Sequence, residues 1–399
     1  MKNVKDFIGD CVAVAKDRSM GFDLPLLILI LTLVAVGTTM MYSASYAYAY
    51  YHYGSSYYFI KSQLIYAAVG FVLMALVSFI PAEKLTKFVV PVMIVTYILL
   101  IIVRLLPAGK GGVYRWIKIG KVSIQPSEIA KLAIIMAGAK WGNYYYEFKR
   151  RKRRLHEKKF ANAMLTFVFG IGIYLLITVM TSGLVLIEKH ISCTVIILLL
   201  AATMMWMAGV DWRIFAAFIG LGVIAVAVVI LSGKIGYSSA RIKVWIDPFA
   251  YIDGDGWQNV QAIYAISSGG LLGQGIGNSK QKFLYIPEPQ NDFVFAVVCE
   301  ELGFIGATVI ILLFIAFVWR GFTISVSNSD RFSKLLGVGI TAQVGWQTLL
   351  NVAVVTKTIP NTGISLPFFS YGGTSIIMLL FEMGILLSVS RRSTEKQII

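Results

Sequence analysis

The sequence predicts an all-α polytopic membrane protein with ten transmembrane helices and a long extracytoplasmic loop between helices 7 and 8. Three observations lead there. Only 14% of the residues are charged and 57% are hydrophobic, where soluble proteins carry roughly a quarter charged residues. The charges are also segregated. No Asp, Glu, Lys or Arg stands between Asp23 and Lys61, and similar gaps cover 62–82, 88–103, 161–187, 191–210, 214–232, 302–319 and 335–356. A bilayer core of about 30 Å takes around 20 apolar residues as a helix, and no soluble core hides so many uninterrupted apolar runs. Finally, basic residues collect on alternate connections, as cytoplasmic loops require.

The spans read as residues 22–45, 59–80, 86–106, 127–145, 161–182, 191–208, 212–232, 293–319, 333–356 and 370–390. Lys131 and Lys140 interrupt the fourth. An even count puts both termini on one side. The tail 1–20 (Lys2, Lys5, Lys16, Arg18), the block 149–159, the stretch Arg320 to Lys334 and Arg391-Arg392 fall on that side, which should be cytoplasmic. The first run is too long for a signal-peptide core and lacks a small-residue cleavage site, so it should remain as helix one. The chain 1–399 reads as a single membrane domain without internal repeats.

The net charge of +16 is therefore read as topology. No aromatic or glycine motif accompanies the basic block 149–154, so nucleic acid is not expected as a partner; contact with anionic lipids fits the same charges. Cys11, Cys193 and Cys299 have no paired spacing, and His52, His156 and His190 are dispersed. Neither a disulfide framework nor a histidine metal site is suggested.

Three outer segments carry the candidate chemistry. Residues 107–126 place Lys110, Arg115, Lys118 and Lys121 on the side that should be poor in basic residues. Such a cluster suits phosphate or pyrophosphate, or it snorkels to lipid headgroups. Gln125-Pro126-Ser127-Glu128 reads as a helix start, with Pro126 early in the helix and Glu128 at its positive end. Glu128 and Lys131 are spaced to pair, as a structural helix end or facing substrate. The loop 233–292 contains Arg241, the glycine-rich Ser268 to Gly277, Lys280 and Lys282, and it ends Pro287-Glu288-Pro289-Gln290-Asn291-Asp292. The glycine spacing resembles a phosphate cradle, without a strand–helix unit around it. Asp292 stands at the mouth of span eight, where an acid can cap the helix or act as a general base. Glu300 and Glu301 fall inside that span, as paired structural groups or as a proton path. Residues 357–369, Lys-Thr-Ile-Pro-Asn-Thr-Gly-Ile-Ser-Leu-Pro-Phe-Phe, cannot form one regular helix.

These motifs together resemble the SEDS family (FtsW, RodA, SpoVE), peptidoglycan glycosyltransferases that polymerise lipid II. The resemblance runs from Met41-Tyr42-Ser43-Ala44-Ser45 through Arg115-Trp116-Ile117, Gln125 to Lys131, Pro287-Glu288, Asp292-Phe293 and Glu300 to Gly303. It continues through Asn351, Thr362-Gly363 and Leu366-Pro367-Phe368 to Ser370-Tyr371-Gly372-Gly373. The stretch Gly277 to Lys282 with Pro287 to Gln290 looks more like the FtsW/SpoVE branch. Four positions depart from the family: Asn291 replaces Thr, Gln261-Ala262 replaces Gln-Ser, Lys189-His190-Ile191-Ser192 replaces a Pro-Asp-Leu-Gly-like motif, and Lys357 replaces Gly.

The resemblance implies an inverting glycosyl transfer at the outer face of a bacterial cytoplasmic membrane, serving division, sporulation or elongation. Asp292 is then the expected base. Arg115, Lys118 and Lys121, with Arg241, Lys280 or a divalent cation such as Mg or Mn, are expected at the pyrophosphate leaving group. Trp116, Gln125, Ser127, Glu128, Lys131, Glu288 and Ser370 are the further candidates for substrate contact. No organic cofactor is expected. The expected partners are lipid II, undecaprenyl-linked glycan, a class B penicillin-binding transpeptidase and other divisome or sporulation membrane proteins. Two readings from other classes stay open: a lipid II flippase and a non-catalytic scaffold.

Overall fold

The structure is a computed structural model that describes residues 21–107, 115–119, 122–154, 170–217, 236–254 and 256–394, with residues 220, 222 and 224. It is mostly helical. The long helices are α1 (Leu24–Tyr53), α2 (Tyr58–Ser78), α3 (Val89–Leu105), α4 (Pro126–Arg154), α5 (Ile173–Ile187) and α6 (Ile191–Ala208). After two shorter helices, α7 (Gly236–Ile246) and α8 (Trp257–Gly269), come α9 (Val294–Ser327), α10 (Arg331–Val355) and α11 (Gly373–Thr394). Eight segments among the described residues are long and apolar enough to cross a membrane: those of α1, α2, α3 with its preceding 3-10 turn, α5, α6, α9, α10 and α11. The chain is a multi-pass membrane protein.

Two expected spans need comment. The fourth is present as α4 but is too polar to stand among those eight. The seventh, 212–232, lies mostly outside the described residues, as do the tail 1–20, the start of the fifth span and Lys121. The expectation of a purely α-helical chain needs one correction. Ile117–Ile119 (β1) and Val122–Ile124 (β2) form an antiparallel hairpin in which Ile117 faces Ile124. The alternation Ile-Lys-Ile and Val-Ser-Ile suits a strand, but three residues are too few to register in a window scan.

The central helix is α4. Residues Ala130 and Leu132 to Ala139 are apolar or small and almost fully buried. It packs against α3, α6 and α10, while α11 lies against α2 and α10 against α9. Small residues permit this closeness: a Cβ at Gly138 would press on Met204 of α6 at 3.0 Å. At the end of the bundle where α1 begins, Asp23 accepts from Leu26 N at 2.9 Å as the cap of α1 and takes the Arg320 guanidinium in a fork, Nε at 3.0 Å and Nη2 at 2.5 Å.

The 233–292 connection is not an irregular loop, since α7 and α8 occupy much of it. Its glycine-rich part also has a different use from the phosphate cradle its spacing resembles. Helix α9 breaks at Gly303 (φ 67°, ψ −169°), and the loop backbone fills the break. Gln274 N donates to Glu300 O at 2.9 Å and Gly275 N to Glu301 O at 3.0 Å, while Phe304 N donates to Gly270 O at 2.9 Å and Ile305 N to Leu271 O at 3.1 Å. A Cβ on Gly269, Gly273 or Gly303 would collide with this facing backbone. Inside a bilayer a freed backbone group must find a protein partner, and these four bonds supply it.

Glu300 and Glu301, fully buried, secure the next turn of the loop. Glu300 accepts from Ser279 Oγ at 2.5 Å and Lys280 N at 2.8 Å. Glu301 pairs with Lys282 Nζ at 2.9 Å and accepts from Ser43 Oγ of α1 at 2.7 Å. Glu301 is thus ion-paired, while Glu300 is held by hydroxyl and backbone donors. Removing one partner of a buried ion pair leaves the other charge unmatched, at about 3–5 kcal/mol. Lys282→Met should therefore lower stability by that order, and the double change Lys282→Met with Glu301→Leu should recover most of it. Thermal unfolding in detergent reads both; equal losses in the single and double variants would show that the pair does not hold the loop.

Candidate functional site

Three chain segments meet at the end of the bundle opposite the Asp23–Arg320 fork: the end of the long connection (287–292), the irregular stretch before α11 (356–372), and the hairpin with the start of α4. Asn351, fully buried on α10, ties the first two together. Its Nδ2 donates to Asp292 O at 2.8 Å and to Ile364 O at 2.6 Å. Tyr371 N donates to Gln290 O at 2.8 Å. From α8, Trp257 Nε1 reaches Tyr285 O at 2.6 Å and Gln258 Nε2 reaches Pro287 O at 3.2 Å. The third segment joins through Thr374 Oγ1, which donates to Ser123 O. Backbone that cannot be helical is thereby held by side chains from neighbouring helices.

The segments enclose a cavity of about 520 Å³. Eight of the expected site residues line it: Arg115, Trp116, Gln125, Glu128, Lys131, Glu288, Asp292 and Ser370. Glu128 and Lys131 pair at 2.9 Å, and Ser375 Oγ of α11 donates to Glu128 at 3.3 Å. Pro126 opens α4. Ser127 lies one layer behind, buried, with its Oγ 3.1 Å from His190 Nδ1. Arg241 donates to Asn361 O at 2.8 Å and acts on Asp292 by charge. Lys280 stands apart from the cavity, its side chain exposed and its backbone N–H bound to Glu300. Lys118 contributes backbone to β1, its side chain lying outside the described residues, as Lys121 does altogether.

Asp292 does not cap α9. The cap residue is Phe293 and no side chain bonds the first turn. The Asp292 carboxylate points instead to the cavity and the backbone at Gly363, where a Cβ would stand 3.0 Å from Oδ2. Among the described residues no hydrogen bond satisfies that carboxylate. Burial raises its pKa above the usual carboxylate value, Arg115 and then Arg241 pull it back, and Glu288 pushes it up. A half-buried carboxylate without a hydrogen-bond donor, facing two guanidinium groups, can take up a proton or meet a cation. Glu288 is held by Asn291, whose Nδ2 donates to its Oε2 at 2.8 Å. Asn291 is one of the departures noted in the sequence, and here it orients a cavity carboxylate.

Two residues with no sequence-derived role adjoin the site. His190 lines the cavity, and burial, with Arg115 and Lys131, pushes its pKa well below the usual value. Glu188 is 1% exposed, and neither of its carboxylate oxygens has a hydrogen-bond partner. Burial raises it to about 8 against the pull of Arg115. Between them Lys189 adopts φ 60°, which turns its carbonyl to accept from Arg115 Nη2 at 3.3 Å. Only the absence of the family's motif at 189–192 marked this corner in the sequence. Lys357, in place of the family's Gly, has φ 59°, a region that costs a side chain about 1–2 kcal/mol.

No three carboxylate, imidazole or thiolate groups converge as a metal cage among the described residues. The carboxylates on the cavity are Glu288, Asp292 and the lysine-paired Glu128.

The Glu188 environment sets a pH dependence. Its folded pKa exceeds its unfolded value, so between about 4.5 and about 8 the folded state binds the extra proton. Stability therefore falls as pH rises through that window. Glu188→Gln should flatten the decline in unfolding temperature between pH 5 and pH 8 and leave the variant the more stable at the upper end. An unchanged profile would place the orphaned carboxylate in a better-solvated setting.

Comparison with known proteins agrees with the fold and the motifs. The model of the cell cycle protein family that groups FtsW, RodA and SpoVE matches residues 24–395. Stage V sporulation protein E of Bacillus subtilis (strain 168) is 37% identical over 350 residues, covering 86% of this chain and 89% of that protein. A probable peptidoglycan glycosyltransferase FtsW of Trichlorobacter lovleyi is 37% identical over 337 residues, covering 84% of each. Among solved structures, a chain of a peptidoglycan synthase complex that coordinates polymerization and crosslinking superposes with a TM-score of 0.73 at 23% identity, over 94% of this chain and 99% of that one. Rod shape determining protein RodA of Thermus thermophilus superposes at 0.67, also at 23% identity, over 94% and 98%. The chain belongs to the FtsW/RodA/SpoVE family of cell cycle proteins, on its FtsW/SpoVE-like side.

Proposed function

We propose that the chain is a peptidoglycan glycosyltransferase that polymerises lipid II at the outer face of the cytoplasmic membrane, with Asp292 as general base. The observation that supports it is the shared cavity. Asp292, whose carboxylate accepts no hydrogen bond from a described residue, and Arg115 open onto one volume flanked by membrane helices. In this reading Asp292 accepts the proton of the acceptor sugar hydroxyl as that oxygen attacks the donor's anomeric carbon from the face opposite the pyrophosphate. The bond from that carbon to the polyprenyl pyrophosphate breaks, inverting the centre. The leaving group needs charge stabilisation more than a proton. Arg115 supplies it from the cavity wall and Arg241 from behind Asn361, and the sequence offers Lys118 and Lys121 as further cations. Trp116, Gln125, Ser370 and the Glu128–Lys131 pair shape the wall that the sugar meets, and Ser127 fixes the His190 ring behind it.

A divalent cation fits only as a bridge between protein and substrate, because Glu288 and Asp292 are the carboxylates free to hold one and Mg²⁺ is commonly bound by one or two carboxylates plus phosphates. It would neutralise pyrophosphate charge. The remaining expectations extend the same reading: ten spans, with α4 and residues 212–232 completing the eight; one membrane domain with both termini cytoplasmic; and a class B penicillin-binding transpeptidase as partner, beside other division or sporulation membrane proteins.

One observation favours the flippase reading. Gln347 of α10 lines the cavity, and one turn away on the same helix the buried Gln343 donates from Nε2 to Glu382 Oε2 at 2.8 Å. Purified lipid II separates the two functions. Asp292→Ala and Asp292→Asn should remain folded and form no glycan strands, while a transporter would still move lipid across vesicles. Arg115→Gln should shift the acidic limb of the kcat–pH profile upward, because removing the positive charge raises the pKa of the base. Strand formation by a well-folded Asp292→Ala protein, with or without a chelator, would remove the base assignment.

A further inference from the structure

Eight of the chain's 20 tyrosines fall between Tyr42 and Tyr58, at the outer end of α1 and the turn beyond it. Helix α1 has 30 residues, about 45 Å at 1.5 Å per residue, while the hydrocarbon core takes about 30 Å. Its inner end is fixed by the Asp23–Arg320 fork, so the last turns, Tyr46 to Tyr53, rise above the apolar layer. A belt of interfacial aromatics would turn its rings toward lipid. Here part of the cluster turns elsewhere.

Tyr48, Tyr51 and His52 form one wall of an open groove of about 500 Å³, whose opposite wall is Gln258, Pro287 and Glu288. Its volume lies within the range of about 300–1,000 Å³ usual for small-molecule sites. The Tyr48 and His52 rings stack at 4.0 Å, and His52 Nδ1 lies 3.1 Å from Tyr48 O, which sets the wall's geometry. Tyr51 is 72% exposed. The facing wall is equally fixed: Gln258 is bonded to Pro287 O, and Glu288 is held at φ 46° with its carboxylate on Asn291. Glu288 lines the Asp292 cavity as well, so the groove and that cavity share a wall.

The lining chooses among occupants. It contains aromatic faces, an imidazole, the aliphatic side chains of Leu284, Ile286 and Pro287, an amide and a carboxylate, and no Lys or Arg. A phosphate or an anionic headgroup would meet the Glu288 carboxylate with no Lys or Arg to offset its charge. A pyranose offers an aliphatic C–H face that packs on an aromatic ring and hydroxyls or acetamido groups that bond amide and carboxylate. We propose that this groove is a glycan subsite that holds saccharide units of the strand beside the Asp292 cavity. The proposal rests on the polymerase reading, because only a growing strand would need both volumes at once.

The test uses the full-length protein in detergent with two readouts. Binding of chitotetraose, a neutral N-acetylated tetrasaccharide, is followed by saturation-transfer NMR, and strand length from lipid II is read on gels. Tyr51→Ala should weaken tetrasaccharide binding about tenfold and shorten the strands, with the rate of first coupling held within about twofold. Tyr51→Trp should preserve both. Tyr48→Ala, which also removes the stacking partner of His52, should behave as Tyr51→Ala. A wild-type protein that polymerises lipid II yet shows no Tyr51-dependent tetrasaccharide binding and unchanged strand lengths overturns the subsite and leaves the polymerase. Tyr51-dependent binding without any polymerisation does the reverse. Equal binding in the Ala and Trp variants would make the tyrosines an interfacial belt only.

Discussion

The outer architecture depends on the way the glycine-rich strand lodges in the broken helix α9. A helix interrupted inside a bilayer exposes amide and carbonyl groups that lipid cannot satisfy. At Gly303 those groups pair with the backbone of residues 270–275, and Glu300 and Glu301 then grip residues 279–282. The contact converts a connection of some sixty residues, which chain entropy would otherwise leave loose, into a segment anchored about two to three helical turns below Asp292. Glu301 also reaches Ser43, so α1 and its aromatic end are tied to the same point. Everything that faces the cavity from residues 285–292 inherits its position from this anchor.

The electrostatics of the cavity follow from burial opposed by neighbouring charge. Asp292, Glu188 and His190 each lose hydration, which disfavours their ionised forms, and Arg115 lies near all three. Its guanidinium supports the carboxylates and disfavours a charged imidazole. Burial and one arginine thereby act together on a histidine and a carboxylate that line the same cavity. The bond from Arg115 to the carbonyl of Lys189 shows why the left-handed turn there is tolerated: the strained residue aims a lone pair at the cation that organises the site.

Much of this was legible in the residues. Charge-free runs located the helices, Pro126 and Glu128 marked the start of α4, and the proline and glycine pattern of 357–369 foretold a non-helical segment. The pairing of Glu128 with Lys131 followed from their spacing. What escaped depends on contacts between distant segments. Asp292 has the local pattern of a cap, but Asn351 takes its carbonyl and the helix begins a residue later. The glycines of 269–277 look like an anion loop in one dimension, and only the facing backbone of α9 explains them. Glu188 carries no motif at all; its character comes from the burial that folding imposes.

Helix α4 raises a question of biogenesis. It lies at the centre of the bundle yet carries Glu128, Lys131 and Lys140, and each charge near mid-membrane opposes insertion of an isolated helix by about 2.5–3.5 kcal/mol. Lys140 is exposed, but the buried Glu128–Lys131 pair is covered by α6, α10 and α11, all synthesised after it. A nascent α4 therefore leaves the ribosome before the surfaces that make it compatible with lipid exist. It must linger at the insertion machinery, or lean on α3, until the later helices arrive, so the order of synthesis makes the centre of the finished protein its last part to settle.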